Sequence, residues 1–449
     1  KMKMPLLSIE ERKTTFKEVE LGFTHEQALT EAMRCLQCPA PKCVEGCPAR
    51  VNIPGFIKEL RQGKIDESAQ VIRQSNFFPS ICGRICQHER QCEGACILAK
   101  TGDPIQIGGI ERFVGDHASF PTPSKKLIGK KAAIIGSGPS GLTVAAYLAL
   151  SGVSVTVYEG TNALGGVIKY GVPDFRLPKE AIGKELEHMH KLEIDFEPNS
   201  KKGEESLEEL SKQFDAIFVG TGVGRSKKPN IPGIDLKNVI SAMKFLVNLN
   251  QSDFSMISNG GKVAVVGAGY VGIDASRAAI RMGADVTCLT VASRESAYKS
   301  VAEKDYKEAE EEGVKFMFSV KVDRLEGKDK VDTVHYSNGF EGKISVDTVI
   351  YAVGQEHDDD DSLRNTLRTK EDGCIKIAPN YQTVIPNVFA GGDCVHGPKT
   401  VIHAVATGRE AAKAMVEYML KPENERKSSE KDAVKNNKIG LNIINNTDI

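Results

Sequence analysis

The chain has 449 residues, 59 Lys plus Arg against 60 Asp plus Glu, and 40% hydrophobic residues. That length predicts about three domains, the balanced charge argues against a nucleic-acid partner, and the lack of any apolar run of about 18 residues argues against a membrane span. Cysteine-rich and without an evident pairing scheme, it is expected in a reducing, cytoplasmic setting.

Eight of the 11 cysteines fall early, as Cys35-x2-Cys38-x4-Cys43-x3-Cys47-Pro48 and Cys82-x3-Cys86-x5-Cys92-x3-Cys96. A bacterial-ferredoxin run ends in the same Cys-x3-Cys-Pro, and this thiolate density suits two [4Fe–4S] cubanes. Structural zinc prefers Cys-x2-Cys knuckles or Cys/His pairs, whereas the two blocks hold one Cys-x2-Cys pair and, of the chain's nine histidines, only His88. A disulfide scaffold belongs to short secreted chains. The blocks sit among short helices. Thr24-His25-Glu26-Gln27 forms a capping box for a helix that ends near Arg34 and delivers Cys35. Pro54 opens another, Gly63 stops it, and residues 65–75 form its partner. Pro121-Thr122-Pro123-Ser124 reads as a linker.

From Lys130 strands and helices alternate. The apolar run 132–135 leads into Gly136-Ser137-Gly138-Pro139-Ser140-Gly141, a helix to Leu150, and a strand to Tyr158. The unit repeats at 262–266, with Gly267-Ala268-Gly269-Tyr270-Val271-Gly272, a helix to Met282 and a strand to Leu289. Each glycine motif follows a strand and opens a helix, so pyrophosphate can approach the helix N-terminus closely. The expected class is α/β: an all-helical iron–sulfur domain followed by two Rossmann-like nucleotide-binding domains.

In the first unit Glu159 ends the second strand, where a carboxylate accepts hydrogen bonds from both ribose hydroxyls of FAD. Gly136, Gly138, Pro139, Ser140, Gly141 and Gly166 complete that end of the site. Val388-Phe389-Ala390-Gly391-Gly392-Asp393 is a late strand ending in glycines and an acid. In flavoproteins that this signature resembles, the acid holds the ribityl chain, which assigns Asp393 there and Gly392 to the same cofactor site. Thr400 and Val401 open the final helix against the flavin pyrimidine edge. In the second unit Gly267, Gly269, Tyr270, Val271 and Gly354 are assigned to the nicotinamide nucleotide. Thr290 stands where an acid would be, and Ser293 and Arg294 follow, which favours NADPH while allowing NADH. The divisions are therefore 1–125 (two clusters), 126–245 with 355–420 (discontinuous FAD domain), 246–354 (NAD(P)H domain) and 421–449 (a polar, loosely docked tail). Asp358 to Asp361 reads as a solvated loop.

With these motifs, and with Tyr170-Gly171-Val172-Pro173-Asp174-Phe175-Arg176-Leu177-Pro178, Ile231-Pro232-Gly233 and Ala352-Val353-Gly354-Gln355, the chain resembles the glutamate synthase small-subunit family. It is similar also to the large subunit of NADH-dependent ferredoxin:NADP oxidoreductase and to the N-terminal half of dihydropyrimidine dehydrogenase. The resemblance spans about 20 to 420. It implies that Cys35, Cys38, Cys43 and Cys96 hold one cluster, and Cys47, Cys86, Cys92 and Glu111 the other, with Cys82 spare. Spacing alone gives Cys82 that last place. Two departures stand out. Val291-Ala292 replaces the Arg-Arg pair with which relatives grip a 2′-phosphate, and Gln87 replaces a proline.

The expected activity is hydride transfer from NAD(P)H to FAD, then single-electron passage through the clusters to an acceptor or large partner subunit. It needs alignment but no general base, so no catalytic side chain is assigned. Two alternatives are a ferredoxin-linked NAD(P)+ reductase or transhydrogenase subunit, reversed or bifurcating, and a non-enzymatic zinc scaffold. Thioredoxin-reductase chemistry is disfavoured because no Cys-x-x-Cys follows the nicotinamide motif.

Overall fold

The computed structural model describes residues 2–120, 126–357, 362–422 and 425–426. The expected linker at 121–124, the acid run at 358–361 and nearly all of the tail lie outside the described residues.

Short helices carry both cysteine blocks. His25–Met33 starts at the expected box: Gln27 N donates to Thr24 Oγ1 (3.2 Å), and Gln27 Oε1 accepts from Thr24 N (2.9 Å). Ile53–Arg61 follows an Asn52 cap, and Ile65–Arg73 packs beside it after the left-handed turn at Gly63. Two further helices, Pro79–Ile85 and Ile107–His117, lie face to face. Gly83 makes that approach possible, since a Cβ there would collide with Arg112 N.

The first Rossmann unit is a five-stranded parallel sheet. In spatial order its strands are Val388–Ala390, Ala216–Val219, Lys131–Ile135, Ser154–Tyr158 and Asp195–Glu197. The late strand Val388–Ala390 joins the edge of this sheet, and the final helix, Val401–Leu420, packs on Pro139–Leu150. The second unit is likewise parallel, in the order Val239–Ser241, Thr348–Tyr351, Lys262–Val266, Asp285–Leu289 and Lys315–Met317. Sequence reading missed an antiparallel sheet of Lys321–Glu326, Thr333–Ser337 and Glu341–Ser345.

One apolar core runs from Phe56 and Phe77 of the cysteine helices through Phe120 to Val157 and Phe389 of the first sheet. The second sheet has its own core around Val263, Val286 and Tyr306. Among the described residues, no helix is long and apolar enough to cross a membrane.

Candidate functional site

Cys35 follows the helix His25–Met33, its amide bonded to Ala32 O (3.1 Å). Cys43 rides on the helix Lys42–Gly46, and Cys96 caps the 3-10 turn Ile97–Thr101. With Cys38 they line an apolar cavity of ≈ 190 Å³, walled by Ile53, Ile57 and Ile107. Burial pushes the Cys43 thiol up to about 11, helped by Cys96 and Cys35, and burial raises Cys35 as well. The raised Cys35 and Cys43 thiols are protonated near neutrality, so a metal must displace their protons. Among the described residues, no group of three or more His, Cys, Asp or Glu side chains is set to hold a single metal ion. The sulfurs instead surround a space, which fits a cluster.

Cys47 ends the helix Lys42–Gly46, Cys86 ends Pro79–Ile85, and Cys92 is buried in the following loop. Glu111 reaches the same place from Ile107–His117; its charge acts on Cys47, Cys86 and Cys92. Burial pushes Cys47 up to about 11 and raises Cys92; Cys86 is raised by a hydrogen bond with Cys82 and by burial. Burial also takes Glu111 up to about 7, against a bond from Asn76 Nδ2 to its Oε1 (2.8 Å). The other end of Asn76, Oδ1, accepts from Cys82 Sγ (3.6 Å). One amide thus spans the two contenders for the eighth ligand position, and both stand beside the three cysteines.

In the first Rossmann unit, Gly136 is left-handed, and a Cβ on Gly141 would strike its carbonyl oxygen. Glu159 is buried beside this loop. Its Oε2 accepts from Ser137 Oγ (2.5 Å) and N (3.1 Å), and its Oε1 from Thr161 N and Oγ1 (both 2.8 Å). Gly166 lies against Gly138, where a Cβ would come within 3.1 Å of its Cα. Pro139 opens the helix, and Ser140 Oγ in its first turn is buried with no hydrogen-bond partner among the described residues. An orphan hydroxyl at a helix N-terminus, beside a fixed carboxylate and a bare glycine turn, fits a dinucleotide such as FAD. At the other end Gly392 is left-handed, and Asp393 Oδ1 accepts from Lys399 N (3.2 Å). Burial pushes Asp393 up to about 6. Thr400 caps the final helix, which begins at Val401, and its Oγ1 meets His403 Nδ1 (2.7 Å).

The cysteine helices are fastened to this unit. Gln91 Nε2 lies 3.5 Å from Thr400 Oγ1, Arg409 Nη1 donates to Ala49 O (2.8 Å), and Tyr147 OH donates to Arg73 O (2.7 Å). Sequence reading named none of Gln91, Arg409 or Tyr147. Each is an ordinary polar side chain whose partner lies far along the chain.

In the second unit Gly267 and Gly354 are left-handed, Gly269 caps the helix Tyr270–Arg281, and Val271 lies in its first turn. Tyr270 OH accepts from Ala302 N (3.1 Å). After the strand Asp285–Leu289, Thr290 is buried and Val291 is 74% exposed. The residues expected at a 2′-phosphate are already engaged. Ser293 Oγ accepts from Ser296 N (3.2 Å), while Arg294 Nη1 pairs with Glu310 Oε1 (3.0 Å) and donates to Tyr298 OH (2.8 Å). The Arg294 guanidinium also lies 4.7 Å from the Phe318 ring centre.

Comparison with known proteins gives two family matches. Residues 12–121 match dihydropyrimidine dehydrogenase domain II, 4Fe-4S cluster, and residues 130–408 match pyridine nucleotide-disulphide oxidoreductase. The glutamate synthase [NADPH] small chain of Escherichia coli K12 is 34% identical, over 91% of this chain and 95% of that protein. The NAD-dependent dihydropyrimidine dehydrogenase subunit PreT of the same strain is 34% identical, over 90% and 97%. Among solved structures, Mycobacterium tuberculosis FprA in complex with NADPH aligns with a TM-score of 0.54 at 18% identity, covering 64% of this chain and 84% of that one. T. acidophilum thioredoxin reductase aligns at 0.51 and 18%, covering 65% and 100%. These two likenesses speak to fold alone.

Proposed function

The chain belongs to the pyridine nucleotide-disulphide oxidoreductase family, with a 4Fe-4S module ahead of it as in glutamate synthase small chains, and it is an NAD(P)H-dependent oxidoreductase; on that premise we propose that it passes hydride from NAD(P)H to FAD and then single electrons through two [4Fe–4S] clusters to a partner protein. The observation that supports this reading is that the helices bearing the two candidate ligand sets are fastened to the final helix of the flavin unit, through Gln91 and Ala49 beside the second set, while the first set lines its own cavity. FAD and the clusters, when bound, supply two-electron uptake and one-electron release.

The chain's own residues do the holding and aligning. Cys35, Cys38, Cys43 and Cys96 hold one cluster; Cys47, Cys86 and Cys92 hold the other, with Glu111 completing it. Glu159 is pre-set by four hydrogen bonds to receive ribose hydroxyls, and Ser140 Oγ is free to donate to pyrophosphate. The start of the final helix turns its partial positive charge toward the flavin edge. The direct contact between Gln91, next to Cys92, and Thr400 ties the second set to the flavin unit. Relatives named as a small chain and as a subunit support a protein partner as acceptor.

The test is anaerobic purification, followed by metal and flavin analysis and reduction with NADH and NADPH separately. The reading expects a brown protein with flavin, about eight iron atoms per chain on the two-cubane count, and bleaching by at least one nucleotide. A colourless zinc protein refutes it. A screen of acceptors, ferredoxin included, then separates a subunit of a larger synthase from a ferredoxin-linked reductase.

A further inference from the structure

The flavin and nicotinamide units meet at a charged joint, beside bonds from Asn250 Nδ2 to Tyr170 O (2.7 Å) and Val172 O (3.1 Å). The loop after the helix Val167–Tyr170, which itself follows Gly166, carries Phe175 and Arg176. Phe175 is buried beneath the guanidinium groups of Arg277 and Arg281, 5.2 and 3.9 Å from its ring centre. Both arginines are held by Glu312, through contacts of 2.6 to 3.1 Å. Arg176 Nη1 reaches Asp274 Oδ1 (2.9 Å) and Asp305 Oδ1 (3.3 Å). Asp274 stands one turn beyond Tyr270 on the helix Tyr270–Arg281, directly behind the second glycine loop, and Asp305 lies on the neighbouring helix Glu303–Glu311.

The N-terminal segment closes the joint from outside. Val19 N donates to Phe175 O (3.0 Å), and Arg281 Nε donates to Thr15 O (3.0 Å). Arg12 pairs with Glu311 (2.9 Å), and Lys304 pairs with Glu20. Glu18 meets Arg84 (2.7 Å) and Arg112 (3.0 Å) of the cysteine helices. A polar cavity of ≈ 30 Å³, large enough for water, lies among these groups. Arg176 is the member that links the loop behind one nucleotide cradle to the helix bearing the other.

We propose that Arg176 is a positioning residue for hydride transfer, fixing the nicotinamide cradle against the flavin cradle through Asp274 and Asp305. The inference rests on the reading above that hydride passes between the two nucleotides. Hydride transfer demands alignment to within about an ångström, and a misplacement of that size costs about 100-fold. A half-buried arginine with two carboxylate partners in the other unit supplies a directional tie.

The test compares wild type, Arg176→Met, Arg176→Lys and Asp305→Asn as loaded holoenzymes. In Arg176→Met the single-turnover rate of flavin reduction is expected to fall about 10- to 100-fold. Flavin and iron contents stay unchanged, and the Kd for NAD+ and NADP+ stays within about two-fold, because uniform binding is untouched. Amide exchange in residues 171–178 and 270–281 rises in Arg176→Met, and Arg176→Lys restores much of both the rate and the protection. If Arg176→Met does not fold, Asp305→Asn decides, with an intermediate loss of rate expected. A full rate in either neutral variant overturns the proposal, as does a parallel loss of flavin and of nucleotide affinity. Wild type that dithionite bleaches but neither nucleotide reduces overturns the hydride reading instead, and this inference with it.

Discussion

The eighth cluster ligand can be read by exchanging its two contenders. Asn76 bonds Glu111 through its amide nitrogen and Cys82 through its amide oxygen, so each substitution must be chosen for what it leaves behind. Glu111→Ala removes the acceptor for a buried amide donor, at a cost of about 1–3 kcal/mol, and also opens a space beside the cysteines. With Glu111 as ligand, this variant is expected to drop from about eight iron atoms per chain to about four. Glu111→Gln keeps the acceptor for Asn76 and an oxygen toward the cluster, but removes a negative charge. Iron is expected to stay near the wild-type value, while the potential of one cluster rises, since a less negative surround favours the reduced form. Cys82→Ser retains the hydrogen bond to Asn76 Oδ1 and is expected to change neither. Iron and sulfide assays with anaerobic EPR titration read all three. Halved iron in Cys82→Ser together with full iron in Glu111→Ala would refute the assignment.

Three other outcomes are expected. Burial takes Asp393 from 3.8 up to about 6, so its stability contribution is complete below the unfolded value and is lost as pH rises through about 6. The flavin-free protein should therefore lose stability between about pH 4 and 7, and Asp393→Asn should flatten that decline in thermal melts. Arg294→Ala should raise the NADPH KM while leaving NADH nearly unchanged, and Glu310→Gln, which frees Arg294 from an exposed pair worth about 0.2–1 kcal/mol, should lower the NADPH KM by up to about five-fold. Equal effects on both nucleotides would remove Arg294 from the 2′-phosphate. Gly83→Ala forces a methyl group onto the backbone of Arg112 and should destabilise the cysteine helices by about 1–3 kcal/mol, visible as a lower melting temperature and loss of iron on storage.

Much of the frame was legible because local chemistry dictates it. The Thr24 box, the stop at Gly63 and both glycine turns depend on neighbours within a few residues. The return of Val388–Ala390 to the first sheet was legible because a short apolar run ending in Gly-Gly-Asp has few other uses. The N-terminal segment was missed although Ser8-Ile9-Glu10-Glu11 forms a capping box of the same kind. The antiparallel sheet was obscured by charged residues and a register shift between Val322 and Arg324. Arg277, Arg281 and Glu312 were not singled out, since sequence alone does not reveal that two guanidiniums and a carboxylate neutralise one another over a phenyl ring. Arg294 was singled out by residue type, but its partner Glu310 comes from the next helix and carries no local signal.

The long excursion between the strand Ala216–Val219 and its neighbour Val388–Ala390 sets a timetable for assembly. A ribosome adding about 5–20 residues per second releases the thiol-bearing helices on the order of 15–60 seconds before the last helix, whose Arg409 clasps them, has been made. Throughout that interval the nascent thiols lack their shield. An oxidising pulse during translation is therefore expected to cost more iron on later loading than the same pulse afterwards.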